Sequence, residues 1–191
     1  MQNVNELTID AAGQSIRARD MGTGDAVIVL SDREKALPAG LVLLAESYRV
    51  LVVDAGDAAV LPDFAASLGL KSYSLIGHGP VAPATLEAAL AAPGPVNAVV
   101  ISAPTGVDRL DRYKALDKPV LALFGTRDET SPPDGAARYR EFLTECHVMM
   151  VYDAGHDIYA DRPEAVAEVV GDFLRRRDRF LVTEDSGLIH P

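Results

Sequence analysis

The sequence contains one cysteine and fewer cations than anions, and each shortage excludes something. With Cys146 alone there is no internal disulfide and no multi-cysteine metal site, which suits a reducing interior such as the cytoplasm. Eighteen Lys and Arg stand against 28 Asp and Glu, a formal net charge of -10. That balance argues against nucleic acid or an anionic membrane held by a general electrostatic field. No apolar run reaches about 18 residues, and Met1 to Glu6 lacks a basic segment leading into an apolar one, so neither a membrane span nor a signal peptide is expected. The four histidines, His78, His147, His156 and His190, lack ligand spacing, and no metal is expected. Gly77-His78-Gly79 has the look of a dinucleotide fingerprint, but Val81 and Ala82 break G-x-G-x-x-G, so no nicotinamide or other cofactor is expected.

What remains is a chain of 191 residues, 48% of them apolar, enough for one compact domain spanning 1–191. Leu7 to Asp10 and Ser15 to Arg19 alternate with period two about Ala11-Ala12-Gly13-Gln14, the pattern of an edge hairpin. Continuous apolar runs follow at Ala26–Leu30, Arg49–Val53, Tyr73–Ile76, Val96–Ser102, Pro119–Gly125 and Val148–Tyr152, as expected of strands buried on both faces. Helices are expected between them: Leu37 to Glu46, Asp63 to Leu70, a helix continuing over Thr85 to Ala92, and Asp134 to Glu145. A closing helix from Arg162 to Arg177 has Asp161 as its expected N-cap, Pro163 in its first turn, and Val166, Val169, Val170, Phe173 and Leu174 as core. Alternation of this kind predicts an α/β fold with a mostly parallel twisted sheet and helices on both faces. The tail from Phe180 to Pro191 lies outside the periodic pattern and is expected either to pack as an extended arm or to be loose.

Chemistry concentrates in three stretches. Ser72 to Val81 runs an apolar strand into the turn Gly77-His78-Gly79-Pro80-Val81. Phe124-Gly125-Thr126-Arg127-Asp128 and Asp153-Ala154-Gly155-His156 follow later, separated by one helix and one strand. In type, order and spacing they resemble the α/β-hydrolase superfamily, in which a nucleophile elbow G-x-S-x-G is followed by an acid and then a histidine. The likeness covers roughly residues 7 to 177. It implies the α/β-hydrolase fold, with Asp128 as the acid and His156 as the base. A carboxylate accepting from one ring nitrogen fixes the tautomer and stabilises the imidazolium that forms when the other nitrogen takes a proton. Only the short connection Ala103 to Lys118 stands where many relatives insert a cap, so a minimal cap or none is expected.

Two departures set this chain apart. The serine position of the elbow is Gly79, which offers no attacking oxygen, and the last motif position is Val81. After the Ala26–Leu30 strand the family carries a glycine-rich oxyanion loop; here the residues are Ser31-Asp32-Arg33-Glu34-Lys35, and carboxylates such as Asp32 and Glu34 would oppose a developing oxyanion. Ser31 and Ser102 follow strand ends on the same edge and are candidate displaced nucleophiles, although serine is common at such junctions as a hydrogen-bonded loop residue. His78 is expected to pack beside the site. Three readings stay open at this point: a non-hydrolytic protein that binds a small molecule or a protein partner, with homodimerisation among the options; an enzyme using His156, oriented by Asp128, as a general base for hydrolysis or lyase chemistry; and a hydrolase with Ser31 or Ser102 as nucleophile.

Overall fold

The computed structural model describes residues 3–31, 36–180 and 188–189. The chain opens with β1 (Asn5–Ala11) and β2 (Gln14–Met21), an antiparallel hairpin closed by Ala12 and Gly13, both at positive φ. Positive φ at both central residues matches the right-handed twist of the flanking strands. Six strands then alternate with helical segments: β3 (Ala26–Ser31), β4 (Arg49–Asp54), β5 (Tyr73–His78), β6 (Val96–Ser102), β7 (Val120–Gly125) and β8 (Cys146–Val151). With β9 (Leu188–Ile189) they form one sheet in the order β1-β2-β4-β3-β5-β6-β7-β8-β9. β2 joins β4 antiparallel, and every pairing from β4 through β9 is parallel.

The apolar runs form strands because both of their faces are covered. Ile28, Leu30, Leu51, Val53, Leu75, Val99, Ile101, Ala122 and Phe124 point into one core. Their neighbours Val27, Val29, Val50, Val52, Ile76, Val100, Leu121 and Leu123 point into the other. α2 (Leu61–Ser67), α3 (Ala82–Ala91) and α4 (Ala137–Phe142) contribute Phe64, Leu86 and Tyr139 to the first. α1 (Ala39–Leu44), α5 (Ile158–Asp161) and α6 (Pro163–Arg176) close the second. On α6, Val166, Val170, Phe173 and Leu174 are buried as the helical spacing requires, while Val169 is only partly covered. Truncating a ring buried as deeply as that of Phe173 costs about 3–5 kcal/mol in such cores.

Two expectations need correction. Asp161 does not cap α6: Arg162 holds the N-cap position without a side-chain cap, and Asp161 instead ends α5 and accepts from Gly155 N–H at 2.7 Å. The Asp134 to Glu145 segment is not one helix: a 3-10 turn at Pro133–Gly135 precedes the short α4, which ends at Phe142 with Leu143 extended. The connection after β6 holds one 3-10 turn at Leu110–Tyr113, and no cap is built there among the described residues. Of the tail, β9 does pack as an extended strand, parallel to β8; Thr183 to Gly187 lie outside the described residues, as do Asp32 to Lys35.

The strand order reverses about β3, which has β4 on one side and β5 on the other. Such a switch point leaves a crevice at the carboxyl ends of the strands, where ligands of open parallel sheets bind. Ser31, Gly79, Ser102, Asp128 and His156 all lie on that edge, at or just beyond the ends of β3, β5, β6, β7 and β8.

Candidate active site

The elbow forms where β5 stops against α3. A side chain at Gly77 would place its Cβ 1.9 Å from Thr85 Oγ1, so only glycine lets the helix come this close. Gly79 follows at φ +58°, the left-handed conformation of a sharp strand-to-helix turn, and its carbonyl accepts from Thr105 N–H at 3.1 Å. Pro80 then opens a 3-10 turn, Gly79–Val81, that leads into α3. A Cβ built on Gly79 would lie 3.1 Å from Nε2 of His156. The imidazole is therefore beside the elbow, in the position from which a serine oxygen there would be activated.

Two loops hold that imidazole. Nδ1 of His156 lies 2.9 Å from Oδ2 of Asp128, whose side chain is fully buried, and Oδ1 accepts from the N–H groups of Thr130 at 2.8 Å and Ser131 at 3.0 Å. Burial works to raise the Asp128 carboxyl, but the Ser131 amide, the His156 ring and the Thr130 amide together outweigh it and hold the pKa below its ordinary value. An ionised carboxylate only accepts, so the hydrogen bonding assigns the proton to Nδ1 and leaves Nε2 with a lone pair. The Ser131 hydroxyl donates to Pro104 O at 2.8 Å, tying the acid loop to the segment after β6. Arg127 donates to Asp153 O at 2.9 Å and pairs with the Asp153 carboxylate, and Asp153 N–H donates to Thr126 Oγ1, binding the acid loop to the histidine loop. The Asp161 carboxylate on Gly155 N–H fixes the residue directly before His156.

The remaining candidates separate. Ser102 is wholly buried; its hydroxyl donates toward Gly77 O at 3.4 Å and lies 3.0 Å from His78 Nδ1. It thus bridges the end of β5 and the His78 ring from inside the sheet edge. His78 does pack beside the site, its ring centroid 5.1 Å from that of His156. Ser31 lines a cleft of about 400 Å³ together with Val29, Leu30, Ala36, Pro38, Leu41, Ile76, His78, Pro80, Val81, His156, Asp157 and Tyr159. Tyr159 is a wall residue the sequence did not single out. Burial pushes its phenol well up from the ordinary value; Ser102 stands beside it, but the hydroxyl meets no hydrogen-bond geometry with any described residue. No cluster of three or more His, Cys, Asp or Glu side chains suited to a metal occurs among the described residues, and no helix among them is long and apolar enough to cross a membrane.

Pro80 stands directly after the elbow glycine, at a position that side-chain motifs do not single out. In the α/β-hydrolase oxyanion hole one donor is the backbone N–H of the residue after the nucleophile. At position 80 that residue is a proline, which has no N–H. The second donor comes from the loop after the oxyanion strand, and Asp32 to Lys35 lie outside the described residues.

A mostly parallel sheet with a glycine elbow at the end of β5, an acid after β7 and a histidine after β8 is the α/β-hydrolase architecture. Residues 96–179 match the family described as TAP-like protein. Among solved structures the chain is similar to one described as a predicted CIB-like hydrolase from Thermoplasma acidophilum, with a TM-score of 0.79 at 19% identity over 92% of this chain and 99% of that one. It is also similar to 2-hydroxy-6-oxo-6-phenylhexa-2,4-dienoate hydrolase from Rhodococcus sp. strain RHA1 (TM-score 0.77, 13% identity, 92% of this chain and 100% of that one). A third is naproxen esterase from Bacillus subtilis (TM-score 0.74, 16% identity, 90% and 92%). No curated protein matches the chain in sequence. The chain has the α/β-hydrolase fold. At these identities the structural likeness shows the fold and not the reaction.

Proposed function

We propose that this protein binds a small molecule in the cleft beside His156 and does not carry out serine-type acyl transfer. The observation that carries the reading is the pair Gly79-Pro80. At adjacent positions one residue lacks the attacking oxygen and the next lacks an amide hydrogen for the tetrahedral oxyanion. Loss of a single oxyanion donor alone costs about 10²–10³ in kcat. The burial of Ser102 supports the same reading, and Ser31 ends β3 on the cleft wall. The experiment is an assay with short-chain p-nitrophenyl esters combined with a serine-reactive fluorophosphonate and intact-mass detection. No turnover above buffer and no adduct are expected. An adduct mapping to Ser31 would replace this reading with that of a displaced-serine hydrolase.

A second reading is favoured by one specific observation: the His156–Asp128 pair keeps a 2.9 Å contact, with Asp128 fully buried and doubly held by backbone amides. Such a pair is a competent general base without serine, for proton abstraction or for activating water. It would give a turnover whose pH profile has a limb in the neutral range that disappears in His156→Ala. Activity that survives that substitution unchanged removes it.

A further inference from the structure

We propose, resting on the reading of the cleft as a ligand site, that its ligand is a compact, uncharged, largely apolar molecule carrying an acidic hydroxyl, a phenol or an enol, which donates to Nε2 of His156. Polarity comes first. Asp128 accepts from Nδ1, so Nε2 faces the elbow as an acceptor, and whatever meets it must bring the proton. A carbonyl or carboxylate oxygen in the same place would face a lone pair and, at Pro80, a backbone nitrogen without hydrogen. The Asp157 carboxyl on the cleft wall adds charge of the same sign as an anionic ligand. A hydroxyl meets neither objection, and a phenol or enol is a stronger donor than an alkyl alcohol.

Shape and surface agree with this chemistry. The atoms that a Cβ built on Gly79 would meet within 4 Å are Nε2 and Cε1 of His156, at 3.1 and 3.8 Å, and a hydroxyl oxygen at that distance from Nε2 is within hydrogen-bonding range. Leu30, Leu41, Ile76, Pro80 and Val81 supply apolar walls for the body of the molecule, with Tyr159 behind them. A cleft of about 400 Å³ falls in the range that holds small ligands. The hydroxyl thus fixes orientation at one end while the hydrocarbon supplies the rest of the binding.

Three matched probes test this: 4-ethylphenol, 4-ethylanisole and 4-ethylbenzoate, titrated into the full chain with NMR observation of the imidazole ¹⁵N resonances. One neutral hydrogen bond corresponds to roughly five- to tenfold in affinity. The phenol should therefore bind about that much more tightly than the anisole, and it alone should move the Nε2 resonance of His156. In His156→Phe the two affinities should become equal. If that variant does not fold, the Nε2 shift in the unaltered protein decides the matter. Equal binding of phenol and anisole, or tightest binding of the benzoate, overturns the hydroxyl assignment and leaves the cleft as a ligand site. Binding by none of the three, or binding that survives Val81→Trp, overturns the ligand reading itself.

Discussion

Installing a serine at position 79 should yield a protein that reacts but barely turns over, and the neighbouring proline is the reason. The new Cβ would stand 3.1 Å from Nε2 of His156, so the ring must give by a few tenths of an ångström, after which the hydroxyl lies within its reach. The backbone at +58° adds roughly 1–2 kcal/mol of strain for a residue with a Cβ. Gly79→Ser thus acquires a nucleophile and a base, but the tetrahedral oxyanion still finds no hydrogen at Pro80. One missing donor is worth about 3–4 kcal/mol in the transition state, or about 10²–10³ in rate. The double variant Gly79→Ser/Pro80→Ala should accordingly acylate faster than Gly79→Ser by about that factor. The burst of p-nitrophenolate from p-nitrophenyl acetate, followed by stopped flow, gives both rates directly. Equal bursts in the single and double variants would refute the argument, because the amide at position 80 would then have no part in stabilising the oxyanion. A burst in the unaltered protein would refute the larger claim that Gly79 leaves the site without a nucleophile.

Two further outcomes follow from groups outside the cleft. Half-buried His147, packed edge-on against Phe173 and Phe180, has its pKa lowered by burial and by Arg140. The unfolded chain then holds the proton more readily. This contribution to stability is complete above the ordinary histidine value near 6.5 and is lost as pH falls through the folded value. The urea midpoint should fall between pH 7.5 and 5.5 and fall less in His147→Gln; parallel slopes in the two proteins would contradict it. Asp161→Ala should release the Gly155 amide, lowering stability by about 0.5–1.5 kcal/mol and raising hydrogen exchange at Gly155, read by Tm and by exchange NMR. Unchanged exchange there would show that the loop is held by other contacts.

The strands were legible because burial on both faces writes itself as unbroken apolar sequence. Ala26–Leu30 in β3 and Arg49–Val53 in β4 were located to within a residue. Helix ends were less legible. Asp161 has the right type and place for an N-cap, but whether a carboxylate serves the next helix or a distant amide depends on how the preceding loop folds back, which local sequence does not encode. The order of Gly79, Asp128 and His156 could be read from motif spacing, while their convergence to hydrogen-bonding distance is a property of the sheet. Ser102 looked like a loop serine because it ends a strand; its burial comes from His78 and the elbow on β5, brought alongside by register. Pro80 stood in plain view, yet its meaning required attention to a backbone hydrogen rather than to a side chain.

The pairing of β9 with Met150 and Val151 reaches beyond the edge it covers. Those two residues form the end of the strand from which the imidazole loop departs. A deletion or bulky fusion that pulled Leu188 and Ile189 away would uncover bare amide and carbonyl groups immediately upstream of the proton acceptor. Uncapped strand margins recruit other chains, so displacing β9 would be felt first as stickiness, and next as looseness in the loop that carries His156.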